Sequence, residues 1–92
     1  MITAIVLVNA RRDLVNETAT RLAEIPGVSE VYSVSGEFDL IVLIRVVDTD
    51  AMAEIVTGRM LKLEGIERTQ TMVAFRAYSR YDLDRLFAIG TE

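Results

Sequence analysis

The amino-acid sequence predicts an α+β domain in βαββαβ order: a four-stranded antiparallel sheet, two helices on one face, and a short helix at the C-terminus. Two observations carry this. The first is an internal repeat. Residues 1–38 and 39–76 align at an offset of 38, which sets Ile25-Pro26-Gly27-Val28 over Leu63-Glu64-Gly65-Ile66. The same offset sets Ile5-Val6 over Leu43-Ile44, Leu14 over Met52, Thr18 over Val56, Arg21 over Arg59 and Leu22 over Met60. The second is the order of patterns inside each copy. An apolar run is followed by a helix-period segment, a Gly and an alternating run, which reads strand–helix–strand. Two such units close most simply into the ferredoxin-like arrangement. That fold implies no chemistry by itself.

The elements follow in order. Ile2 to Val8 is rich in β-branched residues and forms the first strand. The first helix runs from about Arg11 to Ala23, with Leu14, Val15, Thr18, Ala19 and Leu22 on one face. Pro26-Gly27 stops it. Val28 to Ser35 is the second strand, Ser35-Gly36-Glu37 a turn, and Asp39 to Val47 the third strand. Asp48-Thr49 offers an N-cap to the second helix, which turns Met52, Ile55, Val56, Met60 and Leu63 inward. Gly65 ends it, and Glu67 to Ala77 is the fourth strand. In the tail, Ser79 to Ile89, the residues Leu83, Leu86 and Phe87 recur at helical spacing. Residues 1–92 therefore read as a single domain, with a core over 1–77 and a tail over 78–92.

Composition narrows the function. The chain has 92 residues, 51% of them hydrophobic, a large share for so small a core. Net charge is −4 and the basic residues are scattered, so the stripe that duplex binding needs is missing. No direct nucleic-acid contact is expected. The sequence contains no Cys, which removes disulfides and thiolate chemistry, and no His, the commonest general base and metal ligand. No nucleophile elbow, phosphate loop or metal-ligand spacing occurs, so neither a catalytic residue, a metal nor a cofactor is expected. The run Ile2–Val8 is too short to span a bilayer, and a cytoplasmic location without membrane contact is the default.

The third strand carries an inference about assembly. Leu40, Val42, Ile44 and Val46 alternate onto one face, and Ile41, Leu43 and Val47 onto the other, interrupted by Arg45. The first strand is likewise apolar on both sides. A sheet face that meets water should be polar. Two helices cover one face, so the other is expected to bury itself against the same face of a second subunit, as a two-fold homodimer.

Two stretches are candidates for chemistry. Ser35-Gly36-Glu37-Phe38-Asp39 joins a Gly able to take positive φ, an aromatic ring and an acid entering an apolar strand. Asp39 has two readings: an acid that holds a ligand ammonium, or a side chain that stabilises its own turn. Thr69 and Thr71 share a face of the fourth strand and either donate to a carboxylate or serve as ordinary strand residues.

Val31 to Leu40, with Gly36 and Asp39 spaced as G-x-x-D, together with the Gly65 and Thr69-x-Thr71 stretch, resembles the effector-binding (RAM) domain of the Lrp/AsnC, or feast/famine, transcriptional regulators. The resemblance covers about residues 1–77. It implies a sheet-to-sheet dimer of the dimeric α/β-barrel type, assembling into a tetramer of dimers, an octamer. It also implies an amino-acid effector bound where dimers meet, with Gly36, Phe38 and Asp39 on the turn side and Thr69 and Thr71 facing them from a neighbour. The chain starts at its first strand, where the regulators carry a helix-turn-helix domain. The expectation is thus a stand-alone effector module in transcriptional or metabolic regulation, with full-length regulators of the family as further partners. The competing reading is a small cofactor-independent monooxygenase or isomerase of the same topology, which would need an intrasubunit cavity between sheet and helices.

Overall fold

The computed structural model describes residues 1–78 and residue 80. Strand β1 (Ile2–Ala10) leads through a 3₁₀ turn at Arg12–Leu14 into α1 (Val15–Ala23) and then β2 (Val28–Ser33). Strand β3 (Leu40–Val46) leads into α2 (Thr49–Ala53), which continues as a π-helical stretch over Glu54–Arg59 and a 3₁₀ turn over Met60–Lys62, and then into β4 (Ile66–Val73). The sheet is antiparallel in the order β2-β3-β1-β4, so the central strands of the two repeat units lie side by side. This is the ferredoxin-like arrangement.

The alternation read from the sequence sets the two faces. Ala4, Val6, Val8, Leu40, Val42 and Ile44 are completely buried under the helices, together with Leu22 and Met60. Ile5 and Leu7 stand opposite Leu43 and Ile41 on the other face and are half-buried. Val47 lies beyond the end of β3 and is 75% exposed, so it does not extend that face as the pattern predicted.

The second helix departs from a uniform α-helix. Asp48 caps it, its carboxylate accepting from the Ala51 N–H at 2.8 Å, as expected. Met52 and Ile55 then follow α-helical spacing, but the next buried residue is Met60, five positions on. A π-turn brings residues five apart onto one side. Val56, expected inward, is consequently half-buried.

The two equivalent glycines serve close packing. Gly27 has φ +99°, and a Cβ there would run into Ile55 of the second helix. Gly65 is not in the left-handed region, so its role is not to turn the chain. A Cβ on Gly65 would collide with Thr18 Oγ1 of α1. Each glycine thus lets the other unit's helix approach. Arg11 reinforces the second contact: its N–H donates to Gly65 O at 2.7 Å, and its guanidinium pairs with Asp13 at 3.1 Å and Glu64 at 3.6 Å.

Several boundaries differ from expectation: β1 runs on to Ala10, α1 begins at Val15, β3 covers Leu40–Val46 and β4 begins at Ile66, and two strands end two or more residues early. β2 ends at Ser33 rather than Ser35, because the turn region begins there. β4 ends at Val73 rather than Ala77, its last backbone link to β1 being the Ala74 N–H donating to Thr3 O. The predicted C-terminal helix with Leu83, Leu86 and Phe87 lies outside the described residues. Among the described residues, no helix is long and apolar enough to cross a membrane.

Candidate functional site

Of the five residues singled out from the sequence, Gly36, Phe38, Asp39 and Thr69 lie toward the end of β1, and Thr71 pairs farther back with Val6. The connection from β2 to β3 is closed by a bond from the Val34 N–H to Asp39 O, at 3.0 Å. Gly36 at its tip has φ +113° and open space where a Cβ would stand. The turn therefore demands Gly for its backbone conformation and not for room. Asp39 is half-buried at the base. Its N–H donates to Val8 O at 2.9 Å, and its Oδ2 accepts from the Ala10 N–H, also at 2.9 Å.

Asp39 thus has a definite structural task. It holds the start of β3 to the last residue of β1, where the pairing of β1 with β4 shifts register between Asn9 and Ala10. Oδ1 makes no hydrogen bond among the described residues. One oxygen is committed to the fold and one remains available.

On the far side of β1, the register pairs Asn9 with Arg68, Val8 with Thr69 and Val6 with Thr71. Thr69 and Thr71 share the helix side of the sheet, as their spacing predicts. Thr69 is half-buried and Thr71, on this edge strand, is exposed. Arg68 falls on the opposite face and reaches across the end of β1 to Phe38, its guanidinium carbon 5.1 Å from the ring centroid. A cation over an aromatic face is attracted by the ring quadrupole.

Arg68 is the residue that sequence reasoning missed. Its position beside Thr69 was visible, but β1 intervenes between β3 and β4, and only strand order brings Arg68 to Phe38. The structure therefore places Gly36, Phe38, Asp39, Arg68 and Thr69 at one end of the sheet, with Thr71 two residues farther along β4. A carboxylate and a guanidinium stand at the same corner. That pairing suits a ligand that carries both an ammonium and a carboxylate.

The clefts of the lone subunit lie elsewhere. One of about 280 Å³ runs between α1 and the entry to β4, past Thr18, Arg21, Lys62 and Gly65. None of the five predicted residues lines it. Between sheet and helices the space is filled by aliphatic and Met side chains. Thr18 is the one buried polar side chain among the described residues.

Comparison with known proteins places these features in context. The family model described as Lrp/AsnC ligand binding domain matches residues 3–83. An uncharacterized HTH-type transcriptional regulator of Pyrococcus furiosus is 37% identical over 59 residues, covering 64% of this chain and 39% of the relative. The crystal structure of TTHA0845 from Thermus thermophilus is 49% identical with a TM-score of 0.82, covering 87% of this chain and all of that one. A transcriptional regulator from Neisseria meningitidis, solved as a complex with L-Met, shares the fold at 20% identity and a TM-score of 0.77, over 86% of this chain and 53% of that one. The chain spans between 39% and 50% of the length of the curated relatives it matches.

Proposed function

This chain belongs to the Lrp/AsnC ligand-binding domain family, and from that premise we propose that it is a non-catalytic regulatory module that binds a free amino acid and assembles with copies of itself. The observation that carries the reading is the corner where Asp39, Phe38 and Arg68 meet. An amino acid presents an ammonium and a carboxylate on one carbon. Asp39 Oδ1 receives the ammonium, while Arg68 and the amides of the Gly36 turn offer donors to the carboxylate, and the hydroxyls of Thr69 and Thr71 face this turn from a neighbouring dimer. Phe38 supplies an apolar wall, which favours a nonpolar side chain.

The corner is open on a lone subunit, which accords with a site completed where dimers meet. The half-buried open face of the sheet, centred on Ile5, Leu7, Ile41 and Leu43, supports a sheet-to-sheet homodimer as the building block of a tetramer of dimers. The Neisseria protein's complex with L-Met is in keeping with the same ligand chemistry. Regulators of transcription among the relatives favour a regulatory role over an enzymatic one, and among the described residues the layer under the helices is apolar apart from Thr18. The module works in the cytoplasm, alone or with full-length regulators of its family.

The test is a thermal-shift screen of the amino acids, followed by calorimetry and light scattering on any that respond. A responsive amino acid should lose affinity on Arg68→Ala and on Asp39→Asn, with the assembly mass unchanged in both. Absence of any response among the amino acids, or binding indifferent to both substitutions, overturns the assignment.

A further inference from the structure

The segment that leaves β4 is largely exposed among the described residues. The Ala74 N–H still donates to Thr3 O at 2.9 Å, so the backbone is aimed along β1 up to that point. Phe75 is then fully exposed and Tyr78 is 85% exposed. A phenyl ring exposed beside a half-buried apolar sheet face is a surface suited to a partner.

Charge says what the partner is. Between this segment and the open face lies a cleft of about 380 Å³ that includes Thr3, Arg45, Phe75 and Arg76. Its charged side chains are the two arginines, and neither has a carboxylate within ion-pair distance among the described residues. The strand registers place one acid on the same open face, Glu30 at the β2 edge, opposite Leu43. The Tyr32 hydroxyl donates to its carboxylate and fixes it on that edge. Arg76 thus follows the β4 edge strand and Glu30 stands on the β2 edge strand, with Arg45 on the interior strand β3, so the two edges carry opposite charges.

We propose that residues 74–78 form an arm that clasps a second copy of this chain, with Arg76 pairing with Glu30 of the partner subunit and Phe75 packing beside it. The proposal rests on the sheet-to-sheet dimer put forward above. The sheet order selects the axis. A two-fold axis running along the strands, between two open faces, lays the β4 edge of one copy over the β2 edge of the other. It also keeps the sheet ends together. The arm leaves at the end where Ile2 pairs with Val46 and Ala4 with Val73, and β2 begins at that end with Val28 opposite Ile44. An axis across the strands would instead set Arg76 near Arg68 of the partner subunit, and Glu30 against its own counterpart, both like-charged. Under the strand-parallel axis each arm meets an acid, and the contact forms twice.

Charge reversal with mixing tests this. Native dimer dissociation is measured by dilution with light scattering, beside Glu30→Arg, Arg76→Glu and Phe75→Ala. All three side chains are exposed in the lone subunit, so the fold should survive, and circular dichroism checks it. Each charge reversal should raise the dissociation constant at least tenfold, and Phe75→Ala should raise it as well. An equimolar mixture of Glu30→Arg and Arg76→Glu should restore near-native affinity, because each copy then offers the charge its partner lacks. A pair within one subunit cannot be rescued by mixing. If the native chain is a monomer at micromolar concentration, the dimer reading itself fails. If it is a dimer but the mixture binds no tighter than either variant alone, the arm contact is overturned and the dimer stands. A Phe75→Ala variant that keeps native dimer affinity, but loses higher assembly, also overturns it.

Discussion

The carboxylate of Asp39 accepts a hydrogen bond from the backbone N–H of Ala10, across 29 residues of sequence, and so ties the start of β3 to the end of β1. The residue expected to hold a ligand ammonium is thereby also a structural tie. The two tasks fall on different oxygens, and substitutions separate them.

Asp39→Asn keeps an acceptor oxygen for Ala10 and removes the charge. Its melting temperature should stay close to native, while calorimetry should show affinity for a responsive amino acid reduced by about 5- to 30-fold, or ~1–2 kcal/mol. Asp39→Ala leaves the Ala10 N–H without its acceptor and should in addition lower folding stability by ~1–3 kcal/mol in denaturant titration. Equal stability of the two variants would mean that the tie contributes nothing.

Gly65→Ala drives a methyl into Thr18 Oγ1, with Leu14 Cβ also within 3.3 Å. Overpacking at such a site costs about 1–3 kcal/mol. Adding Thr18→Ala removes the obstructing hydroxyl and should recover part of that loss, so the two changes couple in a double-mutant cycle. Strict additivity would contradict the close approach of α1.

Gly36→Val meets no atoms, yet places a β-branched residue at φ +113°. The cost is conformational, about 1–3 kcal/mol, and should appear in thermal melts without ligand. Gly36→Asn should cost less, since Asn tolerates positive φ better. Equal melting of native, Asn and Val proteins would show that the turn relaxes to another conformation.

Val42 and Leu43 are neighbours in sequence with opposite surroundings. Val42 is completely buried under the helices, and Leu43 is half-buried on the open face. Val42→Asp puts a charge into the core without a partner and should abolish folding. Leu43→Asp should leave a folded chain by circular dichroism but shift its light-scattering mass to that of a monomer. A native-mass Leu43→Asp protein would argue that the open face is not where copies meet.

Much of the fold was legible because it depends on periodicity. Alternation in Ile2–Val8 and Leu40–Val46 sorted side chains onto two faces, and the repeat at an offset of 38 implied two equivalent units. Asp48 announced its cap. The second helix was read as uniformly α-helical because Met52, Ile55 and Val56 fit that period. The π-turn appears only when Ile55 and Met60 must both reach the core.

The sequence by itself determined the order of elements, the apolar character of both sheet faces, and the residue types at the candidate site, since these are properties of local pattern. The tertiary structure alone decided which residues meet. Strand order sets β1 between β3 and β4, so Asp39 finds Ala10 on that strand and Arg68 finds Phe38 across it. It also decided why Gly65 is a glycine. The sequence suggests a helix stop, whereas the structure shows α1 packed so close that Thr18 occupies the place of any side chain there. Pattern fixes the direction in which a side chain points; only the closed packing of distant segments fixes what stands in front of it.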